Sequence, residues 1–536
     1  MAILPRIASF AALALGGLLA AQDPAAAPAA EPAVPEVPTF TQHVAPIVFQ
    51  RCTQCHRPGE VAPFPLTSFR EVQKKGRMVA KVTADRYMPP WHPEPGHGEF
   101  TNNPRLTDRE IATIAAWVKT GMTEGPAEAL PELPKFPVGW QLGEPDLVLQ
   151  MPQAFEVPAS GPDIYRNFAI PMGLEEDAWI TAIEVRASAP SVLHHILFFT
   201  DDTGESAKIV EKDGKPGFKG MRMRQIEPLA GWAVGGMPEK LPDGLGLRVK
   251  KGTDLVLQSH FHPSGKKERE QTILGIHFAK QPPSRTLVTI QLPPFFGRTS
   301  GLDIPANEKN YLLKDSFELP CDVEGITVGG HAHMLCTSMR MTAELPDGKK
   351  EPLLWIRKWD FDWQNRYTYA APVKLPKGTT IRAEITYDNS KDNKANPNSP
   401  PKRVKWGFES EDEMGSISLM VVPSDESDLQ ALVAAVRTKQ LTSAVDPSRM
   451  EEVMSQAEQR IKQFDKNGDN KVSKDELPPR MQGMFDFLDR NGDGVLDKTD
   501  MEGMTGGAGA GGAGSGGAGG GGRNPSKPGG NRGSGR

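Results

Sequence analysis

The chain has little cysteine, few aromatic residues and no excess of charge of one sign. Four cysteines in 536 residues are too few for the disulfide framework of a small secreted module. Aromatic residues make up 7%. With 62 basic and 67 acidic residues the formal charge is −5, which gives none of the basic surface that nucleic acid requires. No glycine-rich phosphate loop and no strand–helix alternation occur, so nucleotide-binding α/β classes are not expected. Beyond the N-terminus no apolar stretch approaches the ~20 residues of a membrane span, and the mature chain is expected to be soluble, with no transmembrane segment. Proline (49) and glycine (54) are abundant, which disfavours long helices and favours loops and antiparallel strands.

Arg6 precedes a short apolar run, IASFAALALGGLLAA, that ends in small residues. Residues 1–21 read as an export signal, and 22–38, rich in Pro and Ala, as an extended linker. The expected location is the bacterial periplasm, the extracellular space or the cell surface.

Cys52-Thr53-Gln54-Cys55-His56 is a c-type haem attachment motif. Two thiols can add to the haem vinyl groups, and His56 can ligate the iron. A zinc site would need a second ligand pair, and a thioredoxin-like site a βαβ pattern; neither lies nearby. FTQHVAPIVFQR before the motif has helical spacing. Thr107-Asp-Arg-Glu110 is a capping box opening the helix IATIAAWVKTGM. Segment 39–125 is therefore expected to be a small α-helical haem unit. It resembles small c-type cytochrome domains, whose methionine ligand follows the attachment helix by a few tens of residues. That resemblance implies Met88, in RYMPPW, as the sixth ligand. Met78 and Met122 are the alternatives and His92 a second choice.

From about 139 to 424 short alternating runs recur between turn signals: AWITAIEVRA, VLHHILFFT, TDLVLQSHF, TILGIHFA, TLVTIQL, ITVGGHAHML, SMRMTAEL, TIRAEITY and GSISLMVV. This pattern predicts antiparallel sandwiches, and the length predicts two, over 139–295 and 296–424. The histidines cluster in motifs: His194-His195, His260 in LVLQSHFHPSG, and His331-x-His333. Neighbouring strand residues face opposite ways, so a His-His pair converges on one ion only at a bend or bulge. An H-x-H pair shares a face. Imidazole suits copper, zinc, iron and nickel; an added thioether favours copper, because it holds Cu(I).

The order of these motifs resembles the copper-dependent, ascorbate-using monooxygenases, the peptidylglycine α-hydroxylating and dopamine β-monooxygenase family. The resemblance implies two β-sandwiches facing a water-filled cleft, with one copper on each. His194, His195 and His260 (preceded by Gln258) would hold the electron-transfer copper. His331, His333 and Met414, in SEDEMGSISLMVV, would hold the oxygen-activating copper and form the catalytic set. Met334, Met339 and Met420 lack the matching context, and His262 and His277 have no counterpart and are expected to be structural. The peptide-hydroxylating relatives carry an arginine and a tyrosine where this chain has Gly329 and Ser418, so their carboxylate clamp is not implied here. Cys321 and Cys336 flank the H-x-H strand and are the candidates for a pair; the relatives have several disulfides, most of them lacking here. The implied reaction is hydroxylation of a C–H bond by O₂, on an unidentified organic substrate. It needs two electrons from an external donor, a small reductant or redox protein, which a fused haem could relay.

Two stretches near the C-terminus have oxygen-bearing residues at EF-hand spacing. The first offers Asp465, Asn467, Asp469, Lys471 (backbone) and Glu476; the second Asp489, Asn491, Asp493, Val495 (backbone) and Asp500. An EF-hand pair binding Ca²⁺, about two ions, is expected over 447–503. A glycine-rich, flexible tail is expected over 504–536. Two other classes compete with the enzyme: a non-catalytic haem and copper electron-transfer or copper-binding protein, and a calcium-stiffened extracellular structural protein. Met414 favours the enzyme, since a storage site has no need of one thioether-containing set beside an all-imidazole one.

Overall fold

The computed structural model describes residues 33–60, 62–137, 139–220, 227–234 and 236–443, then 463–469, 471–478, Gln482, Phe485 and 494–496. The export signal, most of the linker and the glycine-rich tail lie outside the described residues. What is described is mostly β, with few helices. Among these residues no helix is long and apolar enough to cross a membrane.

The chain forms two compact units. Among the described residues, one comprises those up to Pro89 together with Pro104–Pro134; the other comprises Pro90–Asn103 and those from Lys135 onward. The division cuts across the expected 39–125 segment. Its middle, Pro90–Asn103, is a strap belonging to the β unit. Trp91 and Phe100 explain this, since both rings pack on Tyr367, at centroid distances of 5.1 and 5.5 Å. The strap also donates Glu94 N–H to Trp355 O (2.7 Å) and Thr101 N–H to Thr368 O (2.9 Å).

The helical unit contains Ala45–Arg51, entered through a wider turn at Phe40–Val44, then Phe69–Ala84 and Asp108–Lys119. Ser68 caps the second helix by accepting from Glu71 N–H. Thr107 and Glu110 make the reciprocal capping box of the third. Phe40, Val48, Val72, Ile114 and Trp117 fill the core between them.

The β unit holds four antiparallel four-stranded sheets. In spatial order the first has strands Leu147–Gln150, Ile273–Phe278, Ala178–Arg186 and Leu247–Val249. The second has Ile164–Pro171, Asp254–Phe261, Leu193–Asp201 and Glu227–Ala233. Buried faces of these two share one core, with Ile180, Leu274 and Ile276 meeting Phe168, Ile196 and Leu257. The third sheet runs Val288–Leu292, Gly415–Pro423, Val323–Ala332, Arg366–Leu375. The fourth runs Lys309–Glu318, Thr380–Asp388, Cys336–Glu344, Lys350–Ile356. Val328, Ile417 and Leu419 meet Met339, Leu354 and Ile385 in a second core. Val288–Leu292 pairs with Gly415–Pro423, so the boundary between the sheet pairs falls before Val288 and not at 295/296. The alternation in TLVTIQL predicted a strand but could not say which sheet it joins.

Cys321 and Cys336 are separate buried thiols. The strand Val323–Ala332 runs between them, and ten extended residues span about 33 Å, which holds the two sulfurs at opposite ends of the strand. Burial raises the pKa of both.

Candidate metal centre

The strand Leu193–Asp201 pairs with Asp254–Phe261, and the register slips where the two histidines lie: Leu193 opposes Phe261, yet His195 opposes His260. His194 is the extra residue of a bulge, which re-aims a side chain that regular pleating would send to the other face. His194, His195 and His260 therefore converge. The Nδ1 atoms of His194 and His195 lie 3.1 Å apart, and those of His260 and His195 3.4 Å apart. One ring nitrogen from each of the three lies within 4.8 Å of the others.

The outer nitrogens are held by carboxylates. His194 Nε2 meets Asp362 Oδ1 at 2.9 Å, and His260 Nε2 meets Asp163 Oδ2 at 2.9 Å. A carboxylate on Nε2 places the proton there and leaves Nδ1 as a lone pair. At most His195 can carry a proton among the three converging atoms. Lone pairs thus crowd toward one point, an arrangement suited to a cation. Burial and the neighbouring imidazoles hold His195 well below the usual histidine pKa; burial takes His260 down to about 4 against the pull of Asp163. The hydrogen bond from His194 holds Asp362 low. Asp163 is also low: bonds from His260, Ser410 and His262 outweigh its burial.

These carboxylates, and the groups around them, carried no signal in the sequence. Asp163 also binds His262 Nδ1 (2.7 Å) and accepts from Ser410 Oγ (2.6 Å), which meets Tyr165 Oη at 2.7 Å. Tyr165 opposes His260 in the register and stacks on it at 4.3 Å with planes 9° apart. His262 is tied to this network, whereas His277 lies on the first sheet. A cavity of about 300 Å³, lined by Asp163, Tyr165, Gln258, Lys219, Phe408 and Glu409, adjoins the network.

The second ligand set lies on the third sheet. His331 opposes Ser416 and Ala332 opposes Gly415, the last pair of the ladder; His333 and Met414 follow immediately beyond it. Residues i and i+2 share a face, which puts His331 and His333 on one side, and the rings lie 5.6 Å apart, centroid to centroid. His333 and Met414 are buried. His333 Nδ1 meets Asp412 O at 3.2 Å, and the backbone of Glu409 also bonds to the ring. Burial takes His331 down to about 4 and His333 to about 3. Glu413 ties the set together. Its carboxyl accepts N–H from His333 (2.5 Å), Leu335 (2.8 Å) and Met414 (2.9 Å). Burial pushes its pKa up to about 8 against these donors. On the same face Gly329 is flanked in the ladder by Ser418 and Arg366, so a guanidinium stands one strand away from the glycine.

Aromatic rings wall both sets. Phe361 lies 4.9 Å from His194, 5.7 Å from His260 and 5.9 Å from His333, centroid to centroid. Phe296 lies 5.0 Å from His331. Phe295 and Phe296 are both left-handed, at φ 52° and 55°, a conformation that costs a bulky residue on the order of 1–2 kcal/mol. The rings of His195 and His331 are only 6.1 Å apart.

In the helical unit His56 Nδ1 meets Phe64 O at 2.9 Å, so Nε2 is its available lone pair. Cys52 and Cys55 are unbonded thiols; burial pushes Cys52 up to about 12 and raises Cys55. Two thiols and one imidazole are the residue types a thioether-linked haem would use. Of the methionines, Met78 is exposed and Met122 is packed so closely that a Cβ at Gly76 would fall 2.6 Å from its sulfur. Met88 is half-buried. His92 belongs to the strap in the β unit.

In the first C-terminal loop Asp465 Oδ1 accepts from Gly468 N–H (2.7 Å), Asn467 Oδ1 from Asp469 N–H (2.8 Å), and Asp469 Oδ1 from Lys471 N–H (2.8 Å). Glu476 folds back to accept N–H from Ser473 (2.8 Å), Lys466 (3.0 Å) and Asn467 (3.3 Å); these bonds, Ser473 first, lower it to about 2. Val472–Ser473 pairs antiparallel with Val495–Leu496, joining the two loops. Asp489, Asn491, Asp493 and Asp500 lie outside the described residues.

No curated protein matches the chain. Among solved structures it is similar to PNGF-II, at 10% identity over 52% of this chain and 65% of that one, just under two thirds, with a TM-score of 0.24. It is also similar to a peptide-N(4)-(N-acetyl-β-D-glucosaminyl)asparagine amidase, at 9% identity over 52% and 97%, TM-score 0.23. The VP2 subviral particle of infectious bursal disease virus matches at 10% identity over 52% and 72%, TM-score 0.15. Scores at this level inform neither fold nor function. The family model that matches is the EF hand, over residues 458–477 and 481–504, and it supports calcium binding in that segment.

Proposed function

We propose that the chain is an exported copper-dependent monooxygenase that hydroxylates a C–H bond with O₂, with a c-type haem on the same chain as its electron source. The observation that carries this reading is the convergence of three Nδ1 lone pairs from His194, His195 and His260, with carboxylates on the outer nitrogens of two of the rings. In this reading the two face-to-face sheet pairs are the two sandwiches of the copper monooxygenase family. His194, His195 and His260 would hold one copper, and His331, His333 and Met414 the other. Cys52 and Cys55 would attach the haem, and His56 and Met88 would ligate its iron.

Copper so held would supply one-electron chemistry with O₂, and haem one-electron delivery from a donor. The chain's own residues have separate tasks. Asp163 and Asp362 keep protons on the outer nitrogens of His260 and His194 and so fix which atom faces the metal. Glu413 holds His333 and Met414 in register through their N–H groups. Phe361 and Phe296 keep water from the imidazoles. The thioether of Met414 makes its set the softer of the two and the better holder of Cu(I).

The test is O₂ uptake by the copper-loaded full chain with ascorbate, screened against small organic substrates, with the product mass read for one added oxygen. Uptake without any hydroxylated product would turn the assignment to a haem and copper electron-transfer or copper-binding protein.

A further inference from the structure

The cavity of about 300 Å³ beside the all-imidazole set is lined by none of the candidate metal ligands. Its walls are instead the residues that stand behind His260. Asp163 meets His260 Nε2 at 2.9 Å, and Tyr165 stacks on the same ring at 4.3 Å with planes 9° apart. The converging atom of that ring is Nδ1, on its far edge. A molecule in the cavity is therefore one side chain away from His260 and out of reach of an ion held by the three imidazoles. Transfer of an oxygen atom needs contact and is excluded there. Transfer of an electron does not need contact, and a stacked pair of rings can pass one.

The walls also set what fits. Phe408, Ile164, Pro158 and Pro162 form an apolar slot. Lys219 and Glu409 stand on its exposed side. Gln258 is nearly buried, and its Nε2 donates to Asn167 Oδ1 at 3.4 Å, which leaves Oε1 to accept. A cation, a carboxylate and an amide oxygen around an apolar slot suit a small flat anion that carries hydroxyl groups.

We propose that this cavity docks a small anionic ene-diol reductant and is a second point of electron entry, independent of the haem. The inference rests on the copper reading of His194, His195 and His260. Hydroxylation with O₂ takes two electrons from outside, and two donor molecules supply them. In each step an O–H bond of the ene-diol breaks. Its proton passes to the Glu409 carboxylate and on to water. Its electron crosses Tyr165 and His260 and reduces Cu(II) to Cu(I), and the donor leaves as its radical. Lys219 attracts the anion, and Tyr165 is the contact between donor and ligand ring.

The test uses the copper-loaded full chain with ascorbate as the probe. Freeze-quenched samples report loss of the Cu(II) resonance, and the optical spectrum reports the haem separately. The rate of copper reduction is expected to saturate with ascorbate. Lys219→Glu should raise the half-saturating concentration about tenfold with the limiting rate unchanged. Ser160→Trp, which fills the cavity from its lining, should remove saturation. Neither should alter copper content or the rate of haem reduction. Calorimetry on the copper-free chain should show ascorbate binding that Lys219→Glu weakens and Ser160→Trp abolishes. A rate linear in ascorbate and equal in all three proteins would overturn the site, and so would copper reduction that always follows haem reduction. Saturation without hydroxylation of any substrate would overturn the monooxygenase and leave the electron entry standing. A chain that takes up no copper would overturn both.

Discussion

Single carboxylates decide what the histidines can do. Asp362 and Asp163 lie 168 and 97 residues from the rings they orient, so no local pattern in the sequence points to them. Replacing Asp362 with Asn puts an amide where His194 Nε2 needs an acceptor, and the other tautomer then places a proton on Nδ1, where a metal should bind. Copper affinity of the all-imidazole set is expected to fall ten- to hundredfold, read by competition with a chelator, with the unfolding midpoint nearly unchanged. Unaltered affinity would remove Asp362 from the support of the site. At Met414 the sulfur is the point. Met414→Ile keeps the volume roughly constant, so folding and the haem spectrum should stay normal. X-ray absorption of the reduced protein should lose its copper–sulfur scattering, and hydroxylation should fall by orders of magnitude. Copper–sulfur scattering that survives the substitution would mean another residue supplies the sulfur.

At the scale of strands and helices, local pattern carried further in some places than in others. The capping box at Thr107–Glu110 and the alternating runs were legible because each depends on neighbours a few residues apart. The shared face of His331 and His333 followed from the two-residue period. Convergence of His194 with His195 required a bulge, and the bulge is set by the register against His260, which a single strand does not encode. The strap was read as part of a haem unit because it is continuous with one in sequence. Its membership is decided by Trp91 and Phe100 meeting Tyr367, far along the chain. Met88, next to the strap, is the element-level question in the helical unit. Met88→Ala is expected to abolish a near-infrared sulfur-to-iron charge-transfer band while the haem stays attached. A band that persists would move the assignment to Met78 or Met122, and no band in the parent protein would move it to a nitrogen ligand such as His92.

For the molecule as a whole, five buried or half-buried imidazoles in one place make stability depend on pH. Burial depresses His260 and His331 to about 4 and His333 to about 3, from 6.5. The unfolded chain takes up these protons below about 6.5, and the folded chain does not. The stability of the copper-free protein is therefore expected to be full above that value and to fall as the pH drops toward 4. Urea midpoints at pH 7, 6 and 5 would show it; a midpoint that does not move would contradict the burial of these rings as neutral bases. Asp163 and Asp362 add to the loss only at lower pH, because their folded pKa values are depressed from 3.8. Calcium should act separately. Asp465→Ala removes the first carboxylate of its loop and should weaken calcium binding by calorimetry, while the copper content, measured by mass spectrometry of the metal, stays the same.

The strap at Pro90–Asn103 also constrains how this protein can be rebuilt. The helical unit is written in two pieces, with residues of another core between them. A clone spanning 39–125 would carry off Trp91 and Phe100 and expose them, and a clone starting at 135 would strip the cover from Tyr367. Exchanging the helical unit for another, in the laboratory or by recombination, therefore takes two grafts, one ending at Pro89 and one beginning at Pro104, with the strap left as part of the recipient. A chimera joined at a single junction should misfold even when both parents are stable.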